Sequence, residues 1–247
     1  MAQSMLVVLC AVLALNGVVG RQLRADTVTC TTGCSNYLQS AAQFGVLGGQ
    51  MVQNVGATTI YGSLAVFPGD QASGFPPGNV TGTQHIYDPV ASQAHDDAIT
   101  AYNTLAGMVY NGTDDFTGQD LGRMVLTPGK YFWSSGAQLT GNVTFDAQGN
   151  SSAIFVIQTG STFVTSDYAQ VKLANGAKSC NVYFVVGSSA TLSQHSVIRA
   201  IVIASASVTV ENNVVVRGNV VALHASVTLK ANTIVASTVC GSHHPTA

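Results

Sequence analysis

The second half of the chain repeats one pattern of polar and apolar positions. Ser189-Ala-Thr-Leu192, Ser207-Val-Thr-Val210 and Ser226-Val-Thr-Leu229 alternate strictly, and they recur with a period of roughly 18–20 residues, which signals a solenoid rather than a sandwich. Side chains alternate along a strand, so Val208 and Val210 point inward while Ser207 and Thr209 point outward. Gly160-Ser-Thr-Phe163 fits the same pattern after a longer insertion, and Gly136-Ala-Gln-Leu139 fits it loosely. Each repeat holds three short strands, as in Ile201–Ala204, Ser207–Val210 and Val214–Arg217. Three strands per coil give a triangular cross-section. The third strand carries Arg199 and Arg217 on an outward, solvated row.

The first strand of each repeat differs from the other two. Ile154-Phe-Val-Ile157, Tyr183-Phe-Val-Val186, Ile201-Val-Ile-Ala204 and Val220-Val-Ala-Leu223 are apolar at both parities. A strand of that kind is buried on both faces, so something must cover it. The pattern over 89–109 predicts the cover. Asp88 is an N-cap followed by Pro89 at the first helical position. Ala94, Ala98, Ala101, Leu105 and Met108 then form one apolar stripe, and Asn111-Gly112 closes it. Such a helix is ~30 Å long, close to the height of about six strand layers at ~4.8 Å each.

Composition narrows the chemistry. Charged residues are 8% of the chain against 47% hydrophobic, with a formal net charge of −2. No basic field invites nucleic acid. The chain holds a single glutamate, Glu211, whereas polysaccharide-cleaving β-helices need clustered carboxylates, often with calcium. Asp96 and Asp97 read as the solvated side of the helix, Asp114, Asp115 and Asp120 as a solvated loop, and His95, His195 and His224 as surface or edge histidines. No metal, cofactor or catalytic residue is expected.

Leu6–Leu15 is a short apolar run followed by Val18-Val19-Gly20, which predicts an export signal over 1–20. Removing it takes Cys10 away and leaves Cys30, Cys34, Cys180 and Cys240, which allow three disulfide pairings. Cys30 and Cys34 are close enough to pair locally, and Cys180, in an apolar strand, also reads as a buried thiol. Sequons stand at Asn79, Asn111, Asn142 and Asn150. The expected organisation is a signal over 1–20, an N-terminal segment over 21–37, a solenoid over 38–240 and a tail over 241–247.

An ordered set of pieces runs along the chain: Phe44-Gly-Val-Leu47, Thr59-Ile-Tyr-Gly-Ser-Leu-Ala-Val-Phe-Pro-Gly69, Gly74-Phe-Pro-Pro-Gly78, Ala101-Tyr-Asn103, Leu126-Thr-Pro-Gly-Lys-Tyr131, Ala153-Ile-Phe-Val-Ile-Gln158, Asn175-Gly-Ala177, Cys180-Asn-Val-Tyr-Phe184 and Val186-Gly-Ser-Ser-Ala-Thr-Leu192. Through this set the chain resembles the DUF3494-type family of secreted ice-binding (antifreeze) proteins. The resemblance implies a right-handed, discontinuous β-solenoid with one helix alongside and the N-terminal coil stacked on the coil made last. It also implies an ice-contacting face on the strand ladder away from the helix. Mapped here, that face holds Gly160 and Thr162, Ser189 and Thr191, Ser207 and Thr209, Ser226 and Thr228, extended by Ser193 and Gln138. Glu211 and Lys230 fall on the same parity and interrupt it, one layer apart and able to pair. The function implied is adsorption to ice, with thermal hysteresis and inhibition of recrystallisation. Ice is then the partner of an extracellular monomer that needs no nucleic acid or membrane. The competing classes are a carbohydrate-active β-helix enzyme, marked by a carboxylate cluster on one face, and an adhesin-like surface module, marked by an anchor or appended domain.

Overall fold

The computed structural model describes residues 33–109 and 115–238. Short β-branched strands separated by glycine, asparagine and serine turns wind into three sheets, whose strands pair in parallel. The fold is a three-sided β-solenoid with one α-helix among the described residues.

The helix-side sheet runs, in spatial order, Gln84–Ile86, Ser63–Val66, Phe44–Gly48, Val220–Ala222, Ile201–Ala204, Val182–Val186, Phe155–Thr159 and Gly129–Trp133. That order explains the helix. The chain makes its first coils at one end of the stack, crosses to the other end, and builds back until Val220–Ala222 pairs with Phe44–Gly48. The crossing is the helix Pro89–Ala106. Eight strands stand ~34 Å high, against ~27 Å for 18 helical residues, so the helix spans most of the stack. The expectation of six layers falls short because the N-terminal coils add strands to every sheet.

Asp88 caps the helix, its Oδ1 accepting from the Ala91 amide at 2.8 Å. Ala94, Ala98, Ala101 and Leu105 are buried against the sheet. The helix ends at Ala106, three residues before the expected boundary, with Gly107 as its C-cap. Lys130, on the last strand of the sheet, donates to the carbonyls of Ala106 and Met108. A cation therefore sits at the negative end of the helix dipole, and its burial pulls the Lys130 ammonium below the usual lysine value.

Two helix residues depart from their expected surface roles. His95 is buried, and its Nε2 pairs with the carbonyl of Leu223 at 2.8 Å. Asp97 is buried too, accepting from the Ser40 amide and hydroxyl and from Gln93. Both face the elements packed beneath the helix, where a polar group is tolerated only with a partner. Asp96 alone is solvated.

The apolar residues form two layers on either side of the helix-side sheet. Inside the prism lie Trp133, Phe145, Phe155, Phe163 and Phe184 with the inward valines and leucines of all three sheets. Between sheet and helix lie Tyr183, Val185, Ile201, Ile203 and Val221 with the alanine stripe. Cys34 is joined to Cys180, 146 residues away, with Cα atoms 5.6 Å apart. This replaces the local Cys30–Cys34 pairing and the free-thiol reading of Cys180. The N-terminal segment is laid across the helix-side strands, where the Asn181 Nδ2 also holds the Gly33 carbonyl, so Cys34 meets a partner distant in sequence. Cys30 and Cys240 lie outside the described residues, as do the expected signal over 1–20, Asn111, Gly112 and Asp114.

Candidate functional site

Among the described residues, the second sheet carries no helix. Its strands run Ala137–Leu139, Phe163–Thr165, Ala190–Leu192, Val208–Val210, Val227–Lys230, Met51–Val55 and Gln71–Ser73. The inward residues of the central strands, Val208, Val210, Val227 and Leu229, are fully buried in the prism. Their outward neighbours are held at strand spacing by the same backbone ladder, ~4.8 Å apart.

The middle outward row is set by register. Gln138 pairs with Val164, Val164 with Thr191, Thr191 with Thr209 and Thr209 with Thr228. Gln53 and Ser73 continue it. Thr191, Thr209 and Thr228 thus stand on three successive coils, at the centre of a seven-strand row. One residue pair earlier, Thr162, Ser189, Ser207 and Ser226 form a second row. Backbone bonds link their coils, and the Ser189 and Ser207 hydroxyls pair at 2.9 Å.

This corrects the expected register by two residues. Thr162 lies level with Ser189 rather than Thr191, and Val164 takes the place beside Thr191. Gly160 is not a face residue. It lies at the corner above Ser134, where a Cβ would come within 2.3 Å of the Ser134 carbonyl oxygen. Close stacking of the corners, with Gly187 on the next coil, requires glycine there. The outward parity of Thr162 is as expected; only the slide along the strand differs.

A third row, two residues past the strand centres, holds Thr140, Ser166, Ser193, Glu211 and Lys230. The Ser193 hydroxyl donates to the Thr165 carbonyl at 2.5 Å and so stiffens the corner. Glu211 and Lys230 do pair, with both carboxylate oxygens within 2.9 Å of the ammonium. The pair lies at the edge of the sheet, outside the two hydroxyl rows.

Gln53, Ser73 and Val164 are the face residues that sequence reasoning missed. The first two come from coils without the Ser-x-Thr signature, and only the pairing of Val227–Lys230 with Met51–Val55 brings them in. Asp115 and Asp120 of the expected solvated loop are exposed, and each is also held by hydrogen bonds. Asp115 accepts from Thr117, and these bonds hold its carboxyl below the usual value. Asp120 is pushed up by partial burial, but bonds from Thr140 and the Gly122 amide outweigh that and leave it lowered. Among the described residues no group of histidine, cysteine or acidic side chains is placed to hold a metal ion. No helix among them is long and apolar enough to cross a membrane.

The sequence profile of the ice-binding-like family matches residues 46–235. An ice-binding protein of Nostoc sp. (strain HG1) is 43% identical over 81% of this chain and 73% of its own length. The chain belongs to the ice-binding-like family. Solved ice-binding-family structures share the fold. The crystal structure of an ice-binding protein from an Antarctic biological consortium superposes with a TM-score of 0.78 at 38% identity, covering 91% of this chain and 96% of that one. That of an ice-binding protein from the Antarctic ascomycete Antarctomyces psychrotrophicus gives 0.75 at 37% identity, over 83% and 98% of the two chains. Among the described residues of this ice-binding-like chain, the apolar cover of helix and N-terminal segment lies on the first sheet, and the seven-strand sheet is one of the two sides it leaves open.

Proposed function

We propose that this protein adsorbs to ice through the outward rows of its uncovered seven-strand sheet. The observation that carries the reading is the in-register stacking of Thr191, Thr209 and Thr228 on three successive parallel strands, flanked by Ser189, Ser207 and Ser226. Each threonine offers a hydroxyl and a methyl group, and each stands between two fully buried neighbours that fix its position. An array held this rigidly orders a layer of water without a further loss of side-chain freedom. When that layer merges with the crystal, ice grows only between adsorbed molecules. Its surface curves there, which lowers the local freezing point and slows recrystallisation.

Further features support an exported protein. The 1–20 segment has the pattern of a signal peptide, and the Cys34–Cys180 bond suits an oxidising compartment. The carboxylate of Glu211 is engaged by Lys230, and those of Asp115 and Asp120 by nearby hydroxyls and amides. The sequons at Asn79, Asn142 and Asn150 are exposed on the third sheet or its turns. Glycans there leave the hydroxyl rows clear.

Slow growth of an ice crystal from a solution of the purified protein tests the reading. Uptake into the solid well above that of serum albumin is expected. Uptake at the albumin level overturns it.

A further inference from the structure

The third sheet carries a feature that ice adsorption does not use. Lys172 lies two residues past Gln170, Arg199 two past Val197 and Arg217 two past Val215, and these three reference residues are paired across adjacent strands. The three cations therefore stand in one outward column on successive coils, ~4.8 Å apart. In a chain with only 9 lysines and arginines, this is a concentrated positive patch. Like charges directly opposite on neighbouring strands are destabilising. The repulsion is direct: burial first, and then the neighbouring Arg217 charge, pull the Arg199 guanidinium below the usual arginine value. The column borders an open concavity of about 550 Å³, completed by Gln170, Leu173 and Ser179. None of those lining residues is acidic. Arg199 donates through Nη1 to the Val171 carbonyl at 3.2 Å, which fixes the guanidinium while leaving it other donors. Lys172 is exposed.

We propose that this concavity binds a divalent oxyanion of the sulfate or phosphate class, free or carried as an ester on a sugar polymer. The Arg199 guanidinium and the Lys172 ammonium offer donors suited to a tetrahedral oxyanion, and the Arg217 charge adds to the local field. The Gln170 amide and Ser179 hydroxyl add neutral donors. Bound anion removes the mutual repulsion of the column. The overall charge of −2 makes diffuse attraction of polyanions weak, so retention reports this patch rather than the molecule as a whole.

The test uses two probes on the full chain. Inorganic sulfate is titrated calorimetrically at constant ionic strength in chloride, and dextran sulfate is immobilised on a biosensor with neutral dextran as reference. Binding of both marks a site for the free ion. Binding of dextran sulfate alone marks a site for the polymer-borne ester. The double variant Arg199→Gln/Arg217→Gln and the exposed single variant Lys172→Gln are each expected to weaken binding, the double by roughly ten-fold or more. Circular dichroism and melting temperature verify that they fold. Lys230→Gln, on a different sheet, is expected to bind like the parent. Absence of binding to either probe overturns the proposal, as does Lys172→Gln binding that equals the parent's.

Discussion

Ile201–Ala204 and Val208–Val210 lie in one coil, three residues apart in sequence, on two parallel ladders of different sheets. In the first, every side chain is buried; in the second, Thr209 faces out between two buried valines. The difference is the cover. The helix gives the first sheet a second apolar partner, so both parities serve folding. The second sheet spends one parity on the prism and leaves the other free of any structural duty. A surface relieved of folding constraints in this way can be uniform, small and flat, which is what contact with a crystal requires.

The comparison breaks most visibly from the helix side. Leu105→Asp places a charge in the layer between helix and sheet and is expected to cost ~4 kcal/mol or more, read by chemical denaturation. An unchanged midpoint would mean the helix is dispensable. His95→Phe removes the bond to the Leu223 carbonyl and is expected to cost about 1–2 kcal/mol, in the same assay. A cost near zero would show that the bond contributes nothing beyond packing.

Acid provides a smaller perturbation. The carboxyl of Asp120 is lowered in the fold from its ordinary 3.8, so its contribution is present above that value and is lost as pH falls through the lower folded value. Asp120→Asn is therefore expected to lessen the loss of melting temperature below pH 4, slightly, because the group is largely exposed. An identical acid profile would show that the tie to Thr140 is energetically silent. Smallest is Glu211→Thr/Lys230→Thr. This ion pair is partly exposed, and its removal is expected to change stability by less than ~1 kcal/mol. The hydroxyl surface would be widened and thermal hysteresis raised. A fall in hysteresis would show that the charged edge is part of the contact.

Much of this division is readable in the sequence because it rests on parity. The two-faced apolar runs, the helix stripe and the outward threonines all follow from periods of two and 3.6. What escapes is set by pairing across long separations. The slide of Thr162 and Gly160 depends on where a longer coil inserts its extra residues, and parity is blind to a shift of two. Gln53 and Ser73 join the face only because the first coils stack on the last. Cys34 finds Cys180 for the same kind of reason, and His95 and Asp97 look solvated until Leu223 and Ser40 are brought beneath them.

The central claim is that the seven-strand sheet touches ice. Thr209→Tyr places a bulky ring at the middle of its central row, at a partly exposed outward strand position where tyrosine is tolerated. Lys172→Tyr makes the same kind of change on the third sheet, and is a cleaner reference than the half-buried Arg217. Melting temperatures of both variants should stay near the parent's. Measured by thermal hysteresis at equal concentration, Thr209→Tyr is predicted to lose most of the activity and Lys172→Tyr to keep it. Retained activity in Thr209→Tyr with loss in Lys172→Tyr would place the ice contact on the third sheet and contradict the account.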